Sequence, residues 1–151
     1  MLVKDCVFCK ILRGEIPCTK VYEDDLVLAF LDIAPFNYGH VVIIPKEHHN
    51  SITTLPENLS ARMIAVAPKI GVAQIRNLNA DGFNLMLNNG AAAGQTVQHC
   101  HLHVIPRYTG DRVTMTAAPL AYDSLDAMRD VAEKLRQRLG EADETNAENG
   151  N

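Results

Sequence analysis

No apolar run in this 151-residue chain approaches the roughly 20 residues that a membrane-spanning helix needs, so no membrane partner is expected. The opening segment, MLVKDCVFCK, also lacks the uninterrupted apolar stretch of a secretory signal, and a cytoplasmic location is the expectation. An excess of positive charge is missing too. Residues 1–140 balance at 14 acids and 14 bases, while the last eleven residues, EADETNAENGN, hold four acids and no base. Nothing there suggests a surface for nucleic acid. Cysteine is scarce and unevenly placed: Cys6 and Cys9 form a C-x-x-C and Cys18 and Cys100 stand apart. In a chain expected to stay inside the cell, that is a poor basis for a disulfide framework. Tryptophan is absent altogether.

What is present is enough apolar material for one packed domain, 47% of residues. Phe8, Ile11 and Leu12 fall at helical spacing and stop at Gly14, which predicts a short amphipathic helix after the cysteine pair. KVYED and LVLAFLD read as paired strands, HVVIIP (residues 40–45) as a third, and FNLMLNN (83–89) and HCHLHVIPR (99–107) as two more. Thr54 with Glu57 three residues on has the form of a capping box ahead of a long helix, with Leu59, Met63, Val66 and Ile70 on one face. Pro68 is expected to kink or end that helix. A last helix, about 124–139, carries Leu125, Met128, Val131, Ala132, Leu135 and Leu139 on one side. The pattern predicts one α+β domain over residues 1–140, a five-stranded antiparallel sheet with helices on one face, followed by a loose acidic tail at 141–151.

Half of the six histidines lie in one stretch, QHCHLHVIPR (98–107), at every second position. On a strand, side chains alternate faces, so His99, His101 and His103 share one side, roughly 7 Å apart at about 3.3 Å of rise per residue, and Cys100, Leu102 and Val104 take the other. Burying three imidazoles without partners costs a few kcal/mol each. The row must therefore be lined by solvent, bound to metal or working on a ligand. Just upstream, GAAAGQT lets backbone N–H groups approach a ligand closely, and Gly94, Gln95 and Thr96 offer amide and hydroxyl donors to an anion. A cradle of donors beside a row of imidazoles points to stabilisation of negative charge next to a nucleophile.

His99-Cys100-His101-Leu102-His103-Val104-Ile105 resembles the H-φ-H-φ-H-φ-φ signature of the histidine triad (HIT) superfamily of nucleotide hydrolases and transferases. GEIPCTKVYEDDLVLAFLDIAP, GHVVIIPKEH and NNGAAAGQTVQHCHLHVIPR resemble successive blocks of its Hint-like and bacterial branch over residues 5–108. The resemblance implies a homodimer that joins two five-stranded sheets into one of ten strands. It implies His101 as the nucleophile toward the α-phosphorus of a nucleoside monophosphate derivative such as adenosine phosphoramidate, through a nucleotidyl-histidine intermediate. An imidazole with Nδ1–H held by a carbonyl can attack through Nε2 at neutral pH without prior deprotonation, which agrees with that role. His103 is implied beside the phosphate and the bridging atom, His99 as the first member of the row, and His40 as a brace from the neighbouring strand. Asn88 and Thr96 match positions that contact the phosphate or leaving group, with Gly94 and Gln95 in the same loop, and the Val97 amide matches a further donor. Val7, Phe8, Ile11, Phe30 and Ile33 are implied as the purine slot and Asp32 as the acceptor for the ribose hydroxyls. Read without the family, those apolar residues are core and Asp32 is a turn residue at a strand end. No cofactor is required for the nucleophilic step, since the cradle supplies charge stabilisation.

The C-x-x-C admits three readings, a redox pair, half of a zinc site or two ordinary thiols. Zinc needs two further ligands, which KEHH (His48 or His49) and His99 could supply. The resemblance implies a structural zinc on Cys6, Cys9, His48 and His99. The lack of tryptophan and of the aromatic C-terminal block of Hint-type proteins leaves the leaving group open, whereas Asn88, where the Fhit-like branch carries glutamine, favours the Hint-like branch. Dinucleoside polyphosphate hydrolysis, nucleotidyl transfer and non-catalytic purine nucleotide binding are alternatives, as is a catalytic metal held by all three histidines.

Overall fold

The computed structural model describes residues 2–114 and 118–148. The chain divides into two compact units, one ending at Val113 and the next beginning at Thr114. The first unit holds every residue singled out above as a candidate for the site. Its strands β1 (Lys20–Glu23), β2 (Val27–Leu31), β3 (Val41–Pro45), β4 (Gly82–Met86) and β5 (Leu102–Arg107) form one antiparallel sheet in the order β1-β2-β3-β5-β4.

Two helices of this unit cover opposite faces of the sheet, which corrects the expectation of helices on one face only. Helix α2 (Glu57–Leu78) buries Leu59, Met63, Val66, Ala67 and Ile70 against Val27, Ala29, Val41, Ile43, Leu102 and Val104. Helix α1 (Val7–Leu12) packs Phe8, Ile11 and Leu12 against Leu28, Phe30, Val42 and Ile44, the alternate residues of the same strands. β2 and β3 are thus buried on both sides, which is why they read as continuous apolar runs rather than as alternating ones. Periodicity gives α1 an apolar stripe without saying which side of the sheet receives it.

Helix α2 is continuous through Pro68, where a kink or an end was expected. Pro68 and Ile64, whose carbonyl loses its amide partner, both sit on the exposed face, where water can take the place of the missing N–H. The capping box does not form. Pro56 is the N-cap, and the Thr54 hydroxyl instead donates to Ser51 O in a 3-10 turn over Ile52–Thr54. Gly71 lets α2 approach β4, since a Cβ there would lie 2.5 Å from the Phe83 ring. Gln74 Nε2 donates to Gly39 O and Val104 O, tying the same helix to the entry of β3 and to β5.

In the second unit a helix, α3, runs over Leu125–Glu148, so it continues past the apolar positions that end at Leu139 and into the acidic segment expected to be loose. Residues 149–151 of that expected tail lie outside the described residues.

Candidate active site

Strand β5 delivers the histidine row, although regular pairing starts only at Leu102, three residues later than predicted. Before that point the Cys100 N–H donates to His49 O, and the His99 carbonyl accepts from a side chain. Cys100, Leu102 and Val104 face α2, and the histidines face the α1 side. The rings are closer than their backbone spacing implies, with 4.9 Å between the centroids of His101 and His103. Phe8 stands edge-on to both His99 and His101, at 5.8 and 5.3 Å.

Each imidazole is held by a different group, and the hydrogen bonds fix which nitrogen is bare. His101 Nδ1–H donates to its neighbour's carbonyl, His99 O, at 2.6 Å. Its Nε2 has no hydrogen bond among the described residues and lies on the wall of a cavity of about 280 Å³. His40 accepts at Nδ1 from the Phe36 amide, 3.3 Å away, so its proton sits on Nε2 and is donated to His103 Nδ1 at 2.9 Å. His103 must then carry its own proton on Nε2, as a donor. Burial pushes both rings toward the neutral form. His103 falls to about 4, with His101 and His40 adding to the effect, and His40 is lowered by burial although the Asp32 carboxylate, 3.8 Å from its Nδ1, pulls the other way.

The cavity is lined by Val7, Phe8, Ile11, Phe30, Asp32, Ile33, Thr96, Val97, His101 and His103, and by Ile16, Pro17, Cys18, Leu31 and Val42. One Asp32 oxygen accepts from the Ala34 amide at 2.9 Å, and the other makes no hydrogen bond among the described residues. Thr96 and Val97 keep their backbone N–H groups, and Thr96 its hydroxyl, free of hydrogen bonds among the described residues.

Several expected residues are placed elsewhere. Gln95 is buried and spends its side chain inside the loop, accepting from the Gly90 amide and donating to Asn50 O and Val97 O. It is a strut rather than an anion donor, and its amide is likewise taken, by Gly90 O. The Gly94 amide donates to Ala91 O, and Asn88 Nδ2 reaches only Gly94 O, at 3.4 Å, so neither lines the cavity. His99 does not line it either, because Phe8 intervenes and the ring turns toward the cysteine pair. Sequence reasoning missed Phe36, whose amide sets the His40 tautomer and whose ring stacks on that imidazole at 5.3 Å. No side-chain signal could have found a backbone donor.

The other cluster collects Cys6 Sγ, Cys9 Sγ, His48 and His99, all with ligand atoms within 4.8 Å of one another. His99 Nδ1 lies 3.5 and 3.6 Å from the two sulfurs, and His48 Nδ1 3.3 Å from Cys9 Sγ. Ligands on a tetrahedral zinc at about 2.0–2.3 Å are separated by roughly 3.3–3.8 Å, so these residues fit the ion. His99 Nε2–H is held by Pro45 O at 3.1 Å and His48 Nε2–H by Asn50 Oδ1 at 3.0 Å, which leaves both Nδ1 atoms bare toward the sulfurs. A single metal on all three row histidines does not fit. Their Nδ1 atoms point at the cysteine pair, a backbone carbonyl and His40 respectively, with no common centre.

An antiparallel sheet that presents a row of separately oriented imidazoles to an apolar slot with a carboxylate at its side is the arrangement of a histidine triad protein. The chain belongs to the HIT domain family, whose profile matches residues 13–110. It is 49% identical over 110 residues to adenylylsulfatase HINT3 of Arabidopsis thaliana, a match covering 73% of this chain and 56% of that one, so the chain spans little more than half of that relative. It is 36% identical to adenosine 5'-monophosphoramidase HNT1 of Candida albicans, covering 91% of this chain and 93% of the other. Among solved structures it is similar to a zinc-bound histidine triad family protein from Mycobacterium smegmatis, with 41% identity, a TM-score of 0.70 and coverage of 89% and 97%.

Proposed function

We propose that this chain is a HIT-type nucleotide hydrolase that cleaves an adenosine phosphoramidate-like substrate through a nucleotidyl group carried on His101. The observation that bears the weight is the His101 ring: Nδ1 is tied to His99 O at 2.6 Å and Nε2 is bare toward the cavity. The named activities of the Arabidopsis and Candida relatives support the same class of reaction.

The base enters the slot between Phe8, Ile11 and Phe30, and the unbonded Asp32 oxygen accepts from the ribose hydroxyls. The Thr96 and Val97 amides receive the charged phosphoryl oxygens. His101 Nε2 forms a bond to phosphorus as the bond to the leaving nitrogen breaks, and that nitrogen departs as an amine after taking a proton from solvent. His103 Nε2–H supplies a hydrogen bond to the departing atom. Water then attacks phosphorus, freeing His101 and AMP and returning one proton to solvent. Incubation with adenosine phosphoramidate followed by mass spectrometry is expected to find AMP on a histidine in an acid-quenched sample. A labelled wild-type protein with an unlabelled His101→Gly variant would bear this out; equal labelling of the two would overturn it.

The Cys6, Cys9, His48 and His99 cluster is read as a structural zinc site, supported by its geometry and by the zinc-bound relative. When bound, the ion supplies a cross-link and no chemistry to the reaction. These residues tie α1, which carries Phe8, to the ends of β3 and β5. A homodimer paired through β4 is supported by that strand's edge position and by exposed Leu85, with Ile64, Val72 and Ile75 exposed on α2. Sedimentation is expected to give a dimer at micromolar concentration, and a monomer would count against it. Four free thiols suit a reducing cytoplasm.

A further inference from the structure

The loop between β2 and β3, residues 32–40, carries the Phe36 amide that fixes the His40 tautomer. At its tip Ile33, Phe36 and Tyr38 are exposed. Among the described residues, one side chain of the tip hydrogen-bonds to a residue outside the loop, and it is Asn37. Its Nδ2 donates to Pro106 O and to Asp111 Oδ2, both at 2.9 Å, and its carbonyl accepts from the His40 amide at 3.0 Å. Asp111 is itself firmly held, with a side chain only 6% exposed. Its Oδ2 also accepts from Arg107 Nε at 2.8 Å and the Tyr108 amide at 3.0 Å, and its Oδ1 from Arg107 Nη2 at 2.8 Å and the Val113 amide at 3.1 Å. Pro106 and Arg107 belong to β5, the strand of His103. Asn37 thus ties the loop that supplies the donor for His40 to the strand that carries the next ring.

What depends on that tie is a choice between two proton arrangements. The Phe36 amide reaches His40 Nδ1 at 3.3 Å, long for a hydrogen bond and easily lost if the loop shifts. The Asp32 carboxylate, with Oδ2 3.8 Å from the same nitrogen, favours the opposite state, a proton on Nδ1. With the amide in place, His40 Nε2–H donates to His103 Nδ1 and the His103 proton lies on Nε2. With the amide withdrawn, His40 can carry its proton on Nδ1 toward Asp32, and its Nε2 becomes an acceptor. His103 then donates from Nδ1 and is left with a bare Nε2. Each ring holds one proton in both arrangements, so the exchange needs no ionisation.

We propose that Asn37 and Asp111 are positioning residues that hold the β2–β3 loop where the Phe36 amide keeps His40 and His103 both protonated on Nε2. Neither residue lines the nucleotide cavity, so each acts through the loop and the two rings. The consequence for turnover rests on the hydrolase reading, since a bare His103 Nε2 has no hydrogen to offer the departing atom. The tautomers themselves do not depend on that reading.

Nitrogen NMR of the histidine rings in the full-length protein reads both tautomers directly, and the wild type is expected to show His40 and His103 protonated on Nε2. Asn37→Ala removes both donated bonds at a position with no left-handed backbone, so the chain tolerates alanine there. Forms protonated on Nδ1 should then appear at both rings together. On adenosine phosphoramidate, kcat should fall about tenfold, the upper end of what one neutral hydrogen bond is worth, with KM changing less. Asp111→Asn keeps the size of the side chain and weakens the acceptor for Asn37. It should move tautomers and kcat the same way by less, and it decides the question where the alanine variant does not fold. Asn84→Ala removes the acceptor of Arg107 Nη1, 2.6 Å away on the far side of the same network, and should leave tautomers and kcat as in the wild type. Unshifted tautomers in folded Asn37→Ala, or an equal shift in Asn84→Ala, overturn the proposal. Mixed tautomers in Asn37→Ala with no cleavage by the wild type would leave the positioning role standing and sink the hydrolase reading, and wild-type cleavage with unshifted tautomers in the variant would do the reverse.

Discussion

His99 and His101 are the same residue type, two positions apart, and both buried, yet they face opposite tasks. His99 has Nε2 tied to Pro45 O and offers Nδ1 to two sulfurs. His101 has Nδ1 tied to His99 O and offers Nε2 to the cavity. One carbonyl contact on each ring decides which nitrogen is bare, and so whether the imidazole is placed for the proposed metal ligation or for the proposed attack, because a neutral ring has one bare nitrogen and the hydrogen bond chooses it. The difference lies in the backbone that each ring meets, not in its place in the sequence repeat.

The largest test of that division is to delete each ring. His101→Ala is expected to lower turnover of adenosine phosphoramidate by at least about 10³-fold, as loss of a covalent nucleophile does. Its melting temperature in the presence of zinc should fall less than that of the His99 variant, since the packing on Phe8 and His103 and one carbonyl hydrogen bond are lost but no proposed metal ligand is. His99→Ala should show the opposite balance: a large loss of zinc affinity and thermal stability, with activity falling only as far as the fold loosens. Comparable losses of activity in the two variants, both still folded, would erase the distinction.

A step smaller is the brace behind His103. Replacing His40 by Phe removes the donor to His103 Nδ1 while keeping an aromatic ring in the buried site. The His103 proton is then free to move to Nδ1, where it cannot help the leaving group. The expected cost in kcat is about 10²-fold, the low end of what positioned proton donors contribute, with KM changing less. Nitrogen NMR of the His103 ring should show the mixed tautomers. A single, unshifted tautomer in the variant would mean that His40 does not set it.

Comparable in size, but confined to the other end of the row, is the support of His48. Asn50→Ala removes the acceptor for His48 Nε2–H. Zinc affinity is expected to fall about 10–100-fold by competition with a chelator, the usual cost of losing such a partner. Unchanged affinity would show that the His48 ring needs no outside support.

How much of this was legible in the chain depends on what carries the information. The strands, the long helix and the alternation that sets Cys100, Leu102 and Val104 against the histidines follow from side-chain period, and periodicity is a sequence property. The proposed zinc cluster was legible as a ligand set because Cys6 and Cys9, two of its four members, form a C-x-x-C. The packing of α1 on the far face of the sheet was not, since an amphipathic stripe does not say which apolar surface it meets. Gln95 looked like a donor to an anion because amide side chains are donors. That its three bonds close the Gly90–Val97 loop depends on Asn50, 45 residues away. The tautomers of His40, His99 and His101 depend on the Phe36 amide and on the carbonyls of Pro45 and His99, groups that every residue type possesses and no residue letter marks.

The smallest expected effect concerns acid. His103 is lowered to about 4 by burial, while an unfolded histidine titrates near 6.5. Between those two values the unfolded chain binds a proton that the folded one does not, so stability is full above about pH 6.5 and falls as pH drops toward 4. The ring is half-buried and solvent screens part of the penalty, so at pH 5 the contribution is about 1 kcal/mol, or roughly 2–4 °C in melting temperature for a chain of this length. The proposed zinc ligands also take up protons in that range, so the wild-type slope alone does not isolate His103. His103→Gln keeps the zinc cluster and removes this one group. Its melting temperature should therefore fall less than that of the wild type between pH 7 and pH 5, by that same few degrees. An equal fall in both proteins would mean that His103 contributes nothing to the acid sensitivity, and its neutral form would then owe nothing to its burial.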